Sequence, residues 1–184
     1  MISAGPAPSS LDQPPNRDMH REFALLQYNK SLKAMKDVIK ETATNPRKVL
    51  VACLLVVCLE NLLGNRYSAM SRAQVGHRIL QDWLKSHPHA LPHKSGISSP
   101  QSSSIEDDLV LVFGKLDLTI ISHYDPRSIN NHAASKQDSS ITVAQIPITF
   151  TDLKEAKVFL DLVMRRAYHF IFCAFIKSDP QALS

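Results

Sequence analysis

The sequence predicts an all-α protein, with five principal helices in an irregular bundle that contains a tight αα-hairpin and two long loops. Apolar residues recur at steps of three and four in several segments, which is the spacing of one helix face. Asparagine, proline, glycine and serine stand at the breaks between these segments, where helix caps and turns need them. The eighteen residues from Pro46 to the next breaker, Gly64, are also too many for a typical strand.

Length and composition limit the domain organisation. A chain of 184 residues that is 44% hydrophobic and 21% charged is typical of one globular domain. We expect a disordered tail over 1–16, a single helical domain over 17–177 with flexible loops at 86–104 and 123–147, and a tail over 178–184. The first fifteen residues lack the basic region and apolar core of a signal peptide, and three sparse cysteines indicate a reducing compartment.

The first two helices follow from spacing and from a cap. Leu25, Tyr28, Leu32, Met35 and Ile39 share one face of a helix over about 18–42. Asn45 and Pro46 are a preferred N-cap and a preferred first residue for the second helix. Its apolar run, Val49 to Leu59, covers eleven residues, whereas a membrane span needs about 20. We therefore expect a helix that is wholly buried in a soluble core, with its cysteines filling space.

The third helix pairs with the second. Gly64 and Asn65 favour the left-handed conformation that ends a helix, and the next apolar face extends to about Ser86. That face combines small and large apolar residues: Ala69, Met70, Ala73, Gly76, Leu80, Trp83 and Leu84. Small residues permit close approach of two helices, so we expect a tight αα-hairpin. The small residues are also similar to the second half of a tetratricopeptide repeat, but one copy is not a repeat array.

Two more helices follow the serine-rich segment 86–104. Ser104 and Asp107 form a capping-box pattern ahead of an apolar face made by Leu109, Val112, Phe113, Leu116 and Ile120. Residues 123–147 are expected to form the second loop, and a short extended piece is expected near 141–148. Thr151 or Asp152 caps the last helix, whose final two turns are apolar almost all round. That helix end needs a covering surface, either from this domain or from a missing partner.

No metal, cofactor or catalytic residue is predicted. Cys53 and Cys58 are five residues apart, so a helix rotates them by about 140° from each other and they are poor co-ligands. His87, His89 and His93 lie in the serine-rich segment without a cysteine pair or a carboxylate, and we interpret them as loop histidines.

Two further function classes are disfavoured. His123 and Asp125 are close in sequence, but no nucleophile elbow or glycine-rich phosphate loop accompanies them. An enzyme that uses His123 or His169 without a cofactor stays open as an alternative, and it would need a polar cleft around one of these histidines. A row of lysines in the first helix has helical spacing but is interrupted by Asp37 and Glu41, which favours a solvated face over a nucleic-acid surface. That row consists of Lys30, Lys33, Lys36 and Lys40.

Three regions of the chain carry a family resemblance. They comprise YNKSLKAM (28–35) with VACLLVVCLENLLGNRYSAMSRAQVGHRIL (51–80), then LVLVFGKLDL (109–118), and finally ITFTDLKEAKVFLDLVMRRAYHFI (148–171). In order and spacing they resemble the regulatory region of fungal zinc-cluster transcription factors. In that family a Tyr-Asn-Lys-type helix precedes an Ala-Cys-Leu-Leu helix that ends in Gly-Asn, and a Phe-x-x-Leu-Asp helix follows. The last helix of the family reads F-x-S-L-x-E-A, where this chain has Thr151 and Asp152 instead of the usual small polar pair.

The resemblance implies a transcription regulator-like protein that consists of the regulatory, protein-interaction region alone. The zinc-binding cluster of six cysteines and its basic linker are absent from this sequence. The resemblance also implies a nuclear location. The basic pairs at 47–48 and 165–166 are short for import signals, so a cytoplasmic location is the alternative. We also expect a protein partner or self-association through the apolar C-terminal helix, and neither sequence-specific DNA binding nor membrane insertion. The alternative is a helical adaptor or scaffold without a transcriptional role.

Overall fold

The computed structural model describes residues 16–40, 45–123, 125 and 127–178. Within these ranges the chain is all-α, without a strand, which confirms the predicted fold class. The helices are α1 (Asn16–Lys40), α2 (Pro46–Leu62), α3 (Arg66–Ser86), α4 (Asp107–His123), α5 (Ile129–Gln137), α6 (Ser140–Ala144) and α7 (Leu153–Ser178). The described residues thus contain seven α-helices, whereas the sequence predicts five principal ones.

The chain divides into two compact units, which are α1 and the group α2–α7. In α1, the predicted apolar face is only partly covered, because Leu25 is exposed while Tyr28 and Leu32 are half-buried. The side chains of Met35 and Ile39 lie outside the described residues. So do the predicted tails, apart from the backbone at residues 16 and 178.

Helix α2 begins at its predicted cap, but it is not wholly buried. The side chain of Asn45 accepts a hydrogen bond of 3.1 Å from the Lys48 amide, which confirms the predicted N-cap. Leu55 and Leu62 are 66% and 84% exposed, and Cys58 is exposed as well. The prediction of a fully shielded helix is therefore wrong. Among the described helices, α3 makes the extensive contacts with α2. The opposite side of α2 therefore stays exposed.

The turn from α2 to α3 is built on a buried carboxylate. Glu60, which is 2% exposed, accepts hydrogen bonds from Asn65 Nδ2 at 2.9 Å and from Ser68 Oγ at 2.8 Å. Gly64 has a φ of +79°, and the Asn65 amide donates to the Glu60 carbonyl at 2.8 Å, which is the pattern of a left-handed helix ending. The apolar run of α2 therefore ends in a polar turn that satisfies its own hydrogen bonds.

The core lies where α2, α3 and α4 meet. Its fully buried members include Leu50 on α2, Leu80 on α3 and Phe113 on α4. Helix α7 packs on α4, and the short helices α5 and α6 pack on α7. These two helices occupy the predicted loop 123–147, and the extended piece expected near 141–148 is wrong because Ser140–Ala144 is helical. Thr142 of α6 is fully buried and donates a hydrogen bond of 2.8 Å to the Ser95 carbonyl, so tertiary contacts stabilise this short helix.

The two remaining predicted caps have different outcomes. At α4, Asp107 accepts hydrogen bonds from the Ser99 amide at 2.8 Å and from Ser102 Oγ at 3.3 Å, so its partners are not the predicted Ser104. At α7, Asp152 Oδ1 accepts from the Glu155 amide at 2.7 Å, and Glu155 Oε2 in turn accepts from the Thr151 hydroxyl at 2.8 Å. This reciprocal pair confirms the predicted cap of the last helix. None of the described helices is long and apolar enough to cross a membrane.

Candidate functional site

A buried cluster of charged and imidazole side chains lies where α3, α4, α5 and α7 meet. Its centre is Asp117 on α4, which is 2% exposed and lies one turn after the core residue Phe113. The surrounding helices each contribute one histidine, and the segment before α5 contributes an ion pair. We name this the Asp117 cluster; it consists of His77, Asp117, Asp125, Arg127, His132 and His169.

Three side chains surround the Asp117 carboxylate, and Arg127 is the one within hydrogen-bond distance. Arg127 Nη1 lies 2.7 Å from Asp117 Oδ1, His77 Nε2 lies 3.6 Å from the same oxygen, and His169 Nε2 lies 3.7 Å from Oδ2. Burial by itself raises the pKa of the Asp117 carboxyl. The interaction with His169 and the charges of its other neighbours outweigh burial, so that the pKa lies well below its ordinary value and the group is an anion at neutral pH.

Arg127 is held by a second carboxylate. Its Nε lies 2.8 Å from Asp125 Oδ1 and its Nη2 lies 2.5 Å from Asp125 Oδ2, which is the bidentate arrangement that favours arginine over lysine. Burial would lower the pKa of the guanidinium, but the hydrogen bonds to Asp125 and the charge of Asp117 raise it above its ordinary value. Burial likewise opposes ionisation of Asp125, and its bonds to Arg127 lower its pKa. Arg127 is thus a permanently charged bridge between the two carboxylates.

The histidines form a chain that ends on Asp117. His132 Nδ1 lies 3.0 Å from His169 Nδ1, and the His132 ring stacks on Phe172 with centroids 4.7 Å apart and planes at 5°. We assign the ring protons from these neighbours: Nε2 of both His77 and His169 faces the carboxylate and carries hydrogen, so His169 Nδ1 accepts from His132 Nδ1. Burial is the main cause that lowers the pKa of both His77 and His132, and it keeps them neutral.

This assignment leaves two bare ring nitrogens. His77 Nδ1 and His132 Nε2 are buried, and neither has a hydrogen-bond partner among the residues that the structure describes. A buried acceptor without a donor is unfavourable by about 1–3 kcal/mol. The His132 ring is fully buried, whereas the His77 side chain lines an open groove although its Nδ1 is itself buried.

The groove beside the cluster has a volume of about 1110 Å³ and adjoins a small polar cavity. His77, Asp117 and Arg165 line both spaces. Arg165 of α7 is half-buried, and its Nη2 donates to the Gly96 carbonyl at 3.3 Å. The volume and the mixture of polar and apolar walls are typical of small-molecule sites. The arrangement holds a neutral imidazole next to a carboxylate at the edge of the groove.

The residues considered in the sequence analysis are mostly dispersed. His87 stacks on Trp83 at 4.7 Å, and His89 Nε2 lies 2.9 Å from the Ser98 carbonyl. Cys53 is buried with a pKa raised by burial, whereas Cys58 lies on the exposed face of α2. In the ranges that the structure covers, no group of three His, Cys, Asp or Glu side chains could hold a metal ion.

The two histidines of the enzyme alternative have different positions. His123 is exposed at the end of α4, where its Nδ1 lies 3.0 Å from the Thr119 carbonyl. His169 is 1% exposed, belongs to the Asp117 cluster and lines the small polar cavity. Asp125, which follows His123 closely in sequence, binds Arg127.

The centre of this site was not predicted from the sequence. A signal for Asp117 was present, because a carboxylate stands inside the apolar run of α4 and points to the face that Phe113 and Ile120 bury. Its partners lie 10 to 52 residues away along the chain, and no local pattern connects them.

Comparison with known proteins gives no relatives for this chain. No protein-family model matches the sequence, and no curated protein and no solved structure is significantly similar to it.

Proposed function

We propose that this chain is the regulatory, protein-interaction region of a transcription regulator, of the kind that fungal zinc-cluster factors contain, without a DNA-binding module. The observation that carries the proposal is where the resembling segments lie. Residues 51–80 form most of α2 and α3, 109–118 lie on α4, and 148–171 lead into α7. These helices pack consecutively, α2 on α3, α3 on α4 and α4 on α7, so these three segments belong to one connected core. The remaining segment, 28–35, lies on α1 in the other compact unit.

The close approach of α2 and α3 supports a tight αα-hairpin within this region. An ideal Cβ on Gly76 would lie 3.2 Å from Cys53 Cβ of α2 and 2.5 Å from Phe113 Cε1 of α4. The contact with Phe113 excludes a side chain at this position, and the 3.2 Å distance to Cys53 is tighter than most Cβ contacts, which supports our interpretation of the small-residue face.

The proposed interaction surface is an exposed apolar row on α7, which we name the α7 stripe. It consists of Leu153, Leu160, Met164, Ala167, Ile171 and Phe175. The five large side chains of this row are 41–84% exposed, while Leu162 and His169 on the opposite side of the helix are buried. Steps of three, four and seven are the spacing of a helix-to-helix seam. Exposed apolar rows of this length are unusual on monomers.

We assign the α7 stripe to self-association with a second copy in the antiparallel direction. Lys157 is exposed and lies on the same helix face, between Leu153 and Leu160. Parallel copies would place the two Lys157 ammonium groups side by side, whereas antiparallel copies would separate them. On this proposal the chain acts in the nucleus and catalyses no reaction.

The function is tested by tethering the chain to an unrelated DNA-binding domain in a fungal cell and measuring transcription of a reporter gene. We expect the tethered chain to change transcription several-fold relative to the DNA-binding domain alone. Leu160→Glu with Ile171→Glu should abolish the change, because two charges disrupt the α7 stripe.

The matched control is Leu55→Glu with Leu62→Glu, which places two charges on exposed leucines of α2. It should leave the transcriptional effect intact. A tethered chain that is expressed and folded but has no effect on transcription would contradict the proposal and favour the adaptor alternative.

A further inference from the structure

We propose that the contact between α5 and α7 is a pH-sensitive latch, in which protonation of the His132 ring releases α5 from α7 while the core of α2, α3 and α4 stays folded. We name this contact the His132 latch; it consists of His132, His169 and Phe172. The inference goes beyond the proposed function and does not depend on it, because His169 lies on the side of α7 opposite the α7 stripe.

Helix α5 depends on one side chain for its attachment. His132 is 1% exposed, and it is the one buried residue of Ile129–Gln137. A polar helix of nine residues is not stable by itself in water, because it forms too few hydrogen bonds to offset the cost of its first turn. The helical state of α5 therefore requires that His132 stays packed against α7.

The contacts of His132 fit a neutral imidazole. Its Nδ1 donates to His169 Nδ1 at 3.0 Å, and its ring stacks on Phe172 with centroids 4.7 Å apart. The donor role of Nδ1 leaves Nε2 without hydrogen in the neutral ring. Stacking on a phenyl ring and one hydrogen bond are contacts that an uncharged ring makes at little cost.

A second proton on His132 has no acceptor in the docked state. It would bind at Nε2, which is buried and has no hydrogen-bond partner within the described ranges. A buried donor that carries charge and has no acceptor is more unfavourable than a bare neutral nitrogen. The protonated ring is therefore more stable in water than in the latch.

The charged groups that face His132 do not compensate for this cost. They are Asp125 and Arg127 from the segment before α5, and His169 from α7. The charge of Asp125 favours a proton on His132, but Arg127 already binds both oxygens of that carboxylate. The charge of Arg127 and any charge on His169 oppose the proton.

The charged groups farther from His132 do not favour the proton either. Asp117 on α4 is bound by Arg127 at 2.7 Å and faces His169 Nε2 at 3.7 Å. Near the end of α5 the charges are positive, because Arg166 of α7 donates to the Lys136 carbonyl at 3.1 Å and Lys136 itself lies over the Phe170 ring. No carboxylate of the described residues is thus free to pair with a protonated His132 inside the latch.

The direction of the pH effect follows from the burial of His132. Burial is the main cause that lowers its pKa from 6.5 in the docked state, so the released state binds the proton more tightly. Docking is therefore strongest above about pH 7, and below pH 6.5 each pH unit favours release by up to about ten-fold. Histidine is the side chain whose charge changes in this range.

The test is hydrogen exchange of the full chain, followed by mass spectrometry at pH 7.5 and pH 5.0 with labelling times corrected for the intrinsic exchange rate. We expect the protection of the α5 amides to fall about ten-fold between these pH values. The amides of α3 should stay at least about 100-fold more protected than those of α5 at pH 5.0, because release is local and leaves the core closed.

Two variants assign the effect to His132. His132→Phe retains a ring that stacks on Phe172 but cannot be protonated, and His132→Gln removes the titration with a polar side chain. In each, the protection of α5 should change less than about two-fold between pH 7.5 and pH 5.0. His77→Gln is the matched control, because it removes the other buried neutral histidine and should leave the ten-fold change in α5 intact. Circular dichroism shows which variants fold, and exchange of the original chain decides the matter if neither His132 variant does.

Three results would overturn the inference. One is that α5 is equally protected at both pH values. Another is that α5 and α3 have the same protection at pH 5.0, since α5 would then open only when the whole domain unfolds. The third is a ten-fold pH effect that persists in a folded His132 variant, since another group would then be responsible.

Discussion

Asp117 lies at the centre of the buried polar cluster of this protein. A single carboxylate, 2% exposed, is bound by Arg127 and lies within 3.7 Å of imidazole nitrogens from two other helices. Burial of one charge is costly unless donors surround it, and a set of neighbours that all point to one anion permits few alternative packings. The Asp117 cluster therefore defines how α3, α4, α5 and α7 pack together.

The histidines make the stability of the fold depend on pH. The pKa values of His77 and His132 are lowered from 6.5 in the folded chain, chiefly by burial. The unfolded chain therefore binds more protons below pH 6.5 than the folded chain does. We expect the free energy of unfolding, measured with urea between pH 8 and pH 5, to be constant above about pH 7 and to fall below about pH 6.5.

The groups that face these histidines set the size of this effect. His77 faces Asp117, Arg165, Arg127 and His169, and His132 faces Asp125 and the same two neighbours, Arg127 and His169. Replacement of His132 by Gln should reduce the slope, while His123→Gln, at an exposed position, should not change it. Stability that stays flat or rises between pH 6.5 and pH 5 would contradict the assignment of neutral buried imidazoles.

At the residue scale, little of this site can be predicted from the sequence. His169 is one of the two histidines of the enzyme alternative, but nothing local connects it to Asp117. The position of Asp117 within an apolar run indicates a buried carboxylate without showing which groups bind it. The roles of Arg127 and His132 in the cluster could not be predicted. A buried ion pair depends on tertiary contacts between distant segments, and hydrophobic periodicity carries no information on such contacts.

At the scale of elements, close packing of helices depends on Gly76. A methyl group there would lie 2.5 Å from Phe113 Cε1 and 2.9 Å from Phe113 Cζ. We expect Gly76→Ala to lower the free energy of unfolding by about 1–3 kcal/mol, because α3 and α4 must separate or the Phe113 ring must leave its rotamer. Urea unfolding followed by circular dichroism measures the change.

A second substitution separates steric from conformational causes. Phe113→Leu provides room, so Gly76→Ala should cost less stability in a chain that already carries Phe113→Leu than in the original chain. Gly64→Ala should cost about 1–2 kcal/mol for a different reason, since its φ is +79° but nothing lies within 4 Å of the added Cβ. Equal effects of Gly76→Ala with and without Phe113→Leu would show that packing against α4 is not the cause.

Elements with strong local signals were predicted well, and the others were not. The caps at Asn45 and Thr151–Asp152 were found because side-chain hydrogen bonds at a helix start act within three or four residues. Helices α5 and α6 were missed because their polar sequences bury few residues completely, His132 in α5 and Thr142 in α6. Their helical state depends on packing against α7 and on the bond to Ser95.

At the scale of the whole molecule, α7 has two faces with separate roles. One face buries Leu162 and contributes His169 to the Asp117 cluster, and the other presents the α7 stripe to solvent. The predicted need for a covering surface on the last helix arose from its apolar composition alone. The sequence could not show which residues of α7 stay exposed, because that depends on how α4 and α5 pack against it.

The central claim, that the α7 stripe is a contact surface, is tested most directly by light scattering during size-exclusion chromatography of the purified chain over a range of concentrations. We expect a dimer that dissociates on dilution, and a monomer with unchanged helix content for Leu160→Glu with Ile171→Glu. A chain that stays monomeric at about 100 μM, or a dimer that survives both charges, would contradict this account.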